Sequence, residues 1–71
     1  MSKEAFSFVI YMIHICADKW QMSPAQVYHK LCEAGCIDGY LVPHYDVLHT
    51  QGSDYVAADI REYLLNRGVT L

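Results

Sequence analysis

An almost unbroken apolar run near the start of the chain, Ala5–Ala17, limits what the chain can fold into more than any other feature. The run is about a dozen residues long and contains His14, whereas a membrane-crossing helix needs about 20 apolar residues, so it does not read as a transmembrane span. Glu4 spoils the basic start that a signal peptide requires, and no small-x-small cleavage pattern follows before Asp18. At about 100° per residue, the segment from Lys3 to Gln21 reads instead as a helix with two apolar sides. Phe6, Val9, Ile10, Ile13, Ala17 and Trp20 share one side, and Phe8, Met12 and Ile15 lie nearly opposite. Ser7, His14 and Asp18 leave only a narrow polar strip.

A helix apolar over most of its circumference is buried on more than one side. A chain of 71 residues has little left to cover both sides, so the expectation is a central helix or a subunit contact. Phe8, Met12 and Ile15 are then the candidate interaction stripe. A domain of this size gains only about 3 to 5 kcal/mol from one core, so dense packing or a partner must help. The composition, 54% apolar with six Tyr and Trp20, is that of a folded chain and resembles the centre of a protein interface.

Ser23-Pro24-Ala25-Gln26 announces a second helix: Ser23 as N-cap, Pro24 at the first helical position, and Gln26 completing a capping box, with Met22 placed to staple onto Val27. Val27, Leu31 and Ala34 form its buried stripe, and Gly35 ends it as a left-handed residue. The stretch Gly35–Gly52 then gathers turn formers, apolar anchors and most of the ionisable rings into about a quarter of the chain. Asp38 and Gly39 favour a turn over Cys36–Gly39. Because Pro43 disfavours helical angles at Val42, a short helix is expected from Pro43 to Gln51, with Leu41, Tyr45 and Leu48 facing inward. Ser53 is the expected cap of a last helix whose core face is Val56, Ile60, Tyr63 and Leu64 and which ends at Asn66-Arg67-Gly68. Tyr55 and Leu65 fall off that face and are further candidates for contact with a partner. The tail Val69-Thr70-Leu71 reads equally well as packed or frayed. The fold expected over residues 1–71 is therefore all-α: one small bundle of about four helices with a helix-turn-helix-like middle.

Three cysteines, Cys16, Cys32 and Cys36, fit a disulfide framework poorly and read as reduced thiols in the cytoplasm. Cys32, Cys36, His44 and His49 form C-x3-C-x7-H-x4-H, ligand types that suit zinc. That spacing lacks the longer gap and the cysteine hairpin of a zinc finger, and small buried apolar side chains are the plainer reading of the two thiols. His44, Tyr45, Asp46 and His49 crowd together as general-base chemistry would require, with Asp46 and His49 neighbours on a helix and His44 pointing elsewhere. No phosphate-cradling glycine loop or nucleophile elbow accompanies them, and so small a chain has little room for a substrate pocket. The expectation is a non-enzymatic protein without a cofactor.

A net charge of −3 offers no attraction for phosphates, and the basic residues Lys3, Lys19, Lys30, Arg61 and Arg67 are scattered. The helix-turn-helix alternative, a dimeric DNA-binding regulator, would place Pro43–Gln51 in a major groove, yet that segment holds Asp46 and no Lys or Arg. Association with protein, either a second copy or a different chain, is the favoured function.

Ser23-Pro24-Ala25-Gln26-Val27-Tyr28, Gly35-Cys36-Ile37-Asp38 and His44-Tyr45-Asp46-Val47-Leu48-His49-Thr50-Gln51-Gly52 together resemble a family of small bacterial proteins known as a domain of unknown function, frequent in gut-dwelling anaerobes. The resemblance covers nearly the whole chain, and Tyr45–Gly52 is its most specific part. Some members are encoded beside toxin-like proteins of the ADP-ribosyltransferase type, which implies an antitoxin or accessory role. It transfers no catalytic residues.

Overall fold

The computed structural model describes residues 1–71 and is all-α. Four α-helices, α1 (Lys3–Trp20), α2 (Pro24–Ala34), α3 (Tyr45–Leu48) and α4 (Ser53–Asn66), are joined by short connections, with a π-helical turn at Ile37–Leu41. Principal extents of 27 × 21 × 20 Å leave α1 as the central element, packed against α2, α4 and the π turn. The central-helix alternative is the one the fold adopts.

Helix α1 buries a different arc from the two stripes expected. Ala5, Val9, Met12, Ile13, Cys16 and Ala17 are buried, an arc of roughly 140° at about 100° per residue whose middle lies between the two expected stripes. Met12 has no exposed surface, and Phe8 and Ile15 are half-buried against the core, so the stripe assigned to a partner is largely interior. Phe6 and Ile10, on the other expected stripe, are 57% and 41% exposed. Ala5 and Cys16, which belong to neither expected stripe, are part of the buried arc.

The ends of α1 and α2 are well satisfied. Ser2 Oγ accepts from Ala5 N–H at 3.1 Å, and Gln21, in the left-handed region at φ 56°, ends α1 while its side chain donates to the Asp18 carbonyl at 3.0 Å. The α2 capping box is complete: Ser23 Oγ accepts from Gln26 N–H at 3.1 Å, and Gln26 Oε1 accepts from Ser23 N–H at 2.9 Å. Gly35 closes α2 at φ 67°, and Val27, Leu31 and Ala34 are buried as their spacing predicts.

Beyond Gly35 the chain departs from expectation. In place of a Cys36–Gly39 turn it makes a π-helical turn, in which Val42 N–H donates to the Ile37 carbonyl at 2.9 Å. The turn buries Cys36 and Leu41 and places Gly39 so close to α4 that a Cβ there would lie 2.8 Å from Tyr63 Oη. The following helix is also shorter than Pro43–Gln51: α3 has four residues, and Thr50 and Gln51 donate to Val47 and Leu48 carbonyls in a turn. Ser53 is the first residue of α4, not its cap; Gly52 holds the cap position without a side-chain bond. Asp54 in that first turn forms a salt bridge with Lys19 in the last turn of α1. The tail packs: Val69 is buried, and Lys30 Nζ donates to the Thr70 carbonyl at 2.7 Å.

Candidate functional site

The apolar side of α1 left uncovered faces α2. Phe6, Val9, Ile10 and Ile13 of α1, Tyr28 and Cys32 of α2, and Ile37 and Asp38 of the π turn surround an open groove of about 340 Å3. Its floor, Val9 and Ile13, belongs to the core, and its walls, Phe6, Ile10 and Tyr28, are about half-exposed. Asp38 is the one charged side chain in the lining. The wall exists because Tyr28 lies one turn before Cys32, off the Val27–Leu31–Ala34 stripe, on the flank of α2 that meets Phe6 and Ile10. Sequence reading missed Tyr28, Ile37 and Asp38 as a group, because only the antiparallel pairing of α1 and α2 brings them together. The signal within reach was Tyr28 itself, a large aromatic residue off the buried stripe of an otherwise well-patterned helix.

The interaction residues expected from sequence do not form one surface. Phe8, Met12 and Ile15 line the inside of α1, while Tyr55 and Leu65 are exposed on α4, 58% and 47% respectively. These two are ten residues apart, about 15 Å along the helix, on sides roughly 80° apart.

The His44–His49 cluster serves the packing of α3. Phe8 meets Tyr45 edge to face at 5.6 Å, tying α3 to α1. Tyr45 stacks on His49 at 4.5 Å, and His49 Nδ1 donates to the Tyr45 carbonyl at 2.8 Å. His44 lies against Tyr40, with ring centroids 5.8 Å apart, and Asp46 is exposed on the far side of α3. Asp46 and His49 form no hydrogen bond, so the cluster contains no carboxylate–imidazole pair.

Nor are the four weak zinc candidates gathered: no three His, Cys, Asp or Glu side chains stand close enough to share an ion. Cys36 is buried and Cys32 exposed, so Cys32 is not the buried small side chain expected. Burial pushes the Cys36 thiol up to about 12, with the nearby Cys16 adding to the effect, and burial likewise raises Cys16 to about 12. Both stay protonated at neutral pH, and the thiol form is neither a good ligand nor a nucleophile.

A second cluster lies under the π turn. Tyr40 stacks on Tyr63 at 5.2 Å, its hydroxyl donates to Asp59 at 3.0 Å, and the Arg67 guanidinium sits 3.6 Å above the Tyr63 ring. Burial, then the Asp59 bond, raise the Tyr40 phenol well above its ordinary range. The cluster clamps the π turn to α4.

The family model for DUF3791, a protein of unknown function, matches residues 7–67. The chain belongs to this family. The match runs from Ser7, inside α1, to Arg67, just past α4, and takes in the π turn and the groove lining from Val9 to Asp38 but not Met1 or Phe6. No curated protein and no solved structure matches the chain. No helix is long and apolar enough to cross a membrane.

Proposed function

We propose that this DUF3791 chain is a non-enzymatic association module whose working surface is the groove between α1 and α2. One observation carries the reading: Phe6, Ile10 and Tyr28, with Met1 beside them, gather four of the nine exposed large apolar side chains around one open groove, whereas the other five, Tyr11, Val47, Tyr55, Leu65 and Leu71, line no cavity. Taking about 200 Å2 for a large side chain, the exposed parts of these four make an apolar patch of roughly 400 Å2, the size that marks a contact site on a small protein. The premise differs from the one the sequence suggested. It rests on Phe6 and Ile10, not on Phe8, Met12 and Ile15.

The occupant of this surface is a second protein. Two copies meeting through this patch would bring two chains of net charge −3, each with Asp38 in the contact, against one another, and like charges juxtaposed at an interface disfavour it. Carboxylates outnumber cations eight to five, and six of them, Glu4, Asp18, Glu33, Asp38, Asp46 and Glu62, are exposed and outside any salt bridge. Such a surface suits a basic partner. The antitoxin-like role implied by the sequence resemblance is one form of this reading, with the acidic module masking a basic cleft in a bacterial toxin. Three free thiols support a cytoplasmic setting for this role. Nothing in the geometry favours the DNA-binding alternative, since α3 offers four residues and no basic side chain to a major groove.

The test is co-purification from the native host with tagged wild type and with a Phe6→Glu, Ile10→Glu double variant, circular dichroism confirming that both are folded. A partner present with wild type and lost with the variant is expected. A partner retained in full by the variant overturns the groove as the working surface.

A further inference from the structure

The groove also constrains the shape of what it holds. From Phe6 to Ile13 it runs along α1 for seven residues, about 10 Å. That is the length of two helical turns, over which apolar residues at i, i+4 and i+7 of an incoming helix fall on one side. The walls come from two helices paired side by side, and neither edge presents free backbone donors or acceptors in a row, so the groove cannot extend a strand. Asp38 stands in the lining with no Lys, Arg or His side chain among the other lining residues. It forms no salt bridge within the chain.

We infer that the groove takes two turns of an amphipathic helix from the second protein, three apolar side chains seated over Val9 and Ile13 between Phe6, Ile10 and Tyr28, with a Lys or Arg of that helix paired to Asp38. The inference rests on the association reading and adds the conformation and charge of the partner segment. Salt bridging at the groove edge sets orientation and on-rate more than affinity, so the apolar anchors hold the helix and Asp38 selects among helices.

Three designed peptides of about fifteen residues, long enough to hold a helix when bound, test it. The first carries Leu at i, i+4 and i+7 with flanking Lys; the second has the same Leu spacing with flanking Glu; the third has the first peptide's composition with Leu at i, i+2 and i+4. Each is titrated into the full chain while NMR follows Phe6, Ile10, Tyr28 and Ile37. The first peptide is expected to shift all four and to bind at least about fivefold more tightly than either of the others, with Asp38→Asn reducing its advantage over the Glu peptide to within about twofold. Equal binding by the Lys and Glu peptides overturns the charge assignment. Equal binding by the third overturns the helix. Shifts that follow only the protein's own concentration assign the groove to a second copy and overturn the inference. Silent peptides combined with a co-purified partner lost in Phe6→Glu, Ile10→Glu refute the helix while keeping the association reading; silent peptides with no such loss refute both.

Discussion

Gly39→Ala is the substitution whose effect the structure fixes most tightly. An alanine Cβ at this position would sit 2.8 Å from Tyr63 Oη, inside the 3.4–4 Å of ordinary contact, so one of the two must move by about 0.6 Å. Tyr63 cannot move freely, because Tyr40 is stacked on one face at 5.2 Å and Arg67 lies 3.6 Å from its ring centre. Overpacking of this kind costs about 1–3 kcal/mol, while replacing glycine returns about 0.4–1 kcal/mol through the unfolded state, leaving a net loss of about 1–2 kcal/mol. In a domain this size that lowers Tm by roughly 4–16 °C. The assay is urea unfolding followed by far-UV circular dichroism and Trp20 fluorescence in a double-mutant cycle with Tyr63→Phe. Without the hydroxyl the clash is gone, so Gly39→Ala should be neutral or stabilising by about 0.5 kcal/mol in the Tyr63→Phe background. An equal cost in both backgrounds would refute the close approach and with it the account of the π turn.

Three further outcomes follow from the fold. Met12→Asp should unfold the chain, since an unpaired carboxylate would replace a fully buried side chain, whereas Phe6→Glu should change the urea midpoint little; equal effects would contradict the corrected orientation of α1. Ser23→Ala should cost about 1 kcal/mol by removing the α2 capping bond to Gln26, seen as a lower urea midpoint, and an unchanged midpoint would show the cap to be dispensable. Under reducing conditions, stability should be level below the ordinary thiol pKa of 9.0 and fall as pH rises from there towards 12. Folded Cys16 and Cys36 hold their protons longer than the unfolded chain does, so alkali favours unfolding. Urea midpoints at neutral and alkaline pH, in wild type and in a Cys16→Ala, Cys36→Ala variant, check the sign; a slope unaffected by removing both thiols would disprove the cause.

Local chemistry made much of this fold legible. The α2 boundaries follow from Ser23-Pro24-Ala25-Gln26 and Gly35, because caps are short-range hydrogen bonds between residues the sequence places side by side. The buried face of α2, and Val56, Ile60 and Leu64 of α4, follow from their spacing for the same reason, while Tyr63 is half-buried and Ala57 takes its place in the core. Helix α1 was harder: with apolar residues nearly all round, periodicity could not choose the inward side, which is set by how α2, α4 and the π turn pack around it. The π turn left no local mark, since Gly39 is required by Tyr63, 24 residues later in the chain. The groove was invisible for the same reason: its walls, Phe6 and Tyr28, belong to separate helices, and only their packing makes one surface.

The most direct measurement places a photo-cross-linking side chain at Ile10, in the groove wall, and at Leu65, exposed on α4, in the full chain expressed in its native host. The account predicts a cross-link to a second protein from position 10 and none from position 65, with the attached peptide, identified by mass spectrometry, an amphipathic segment containing Lys or Arg. Cross-linking of equal strength from both positions, or from position 65 alone, would contradict it.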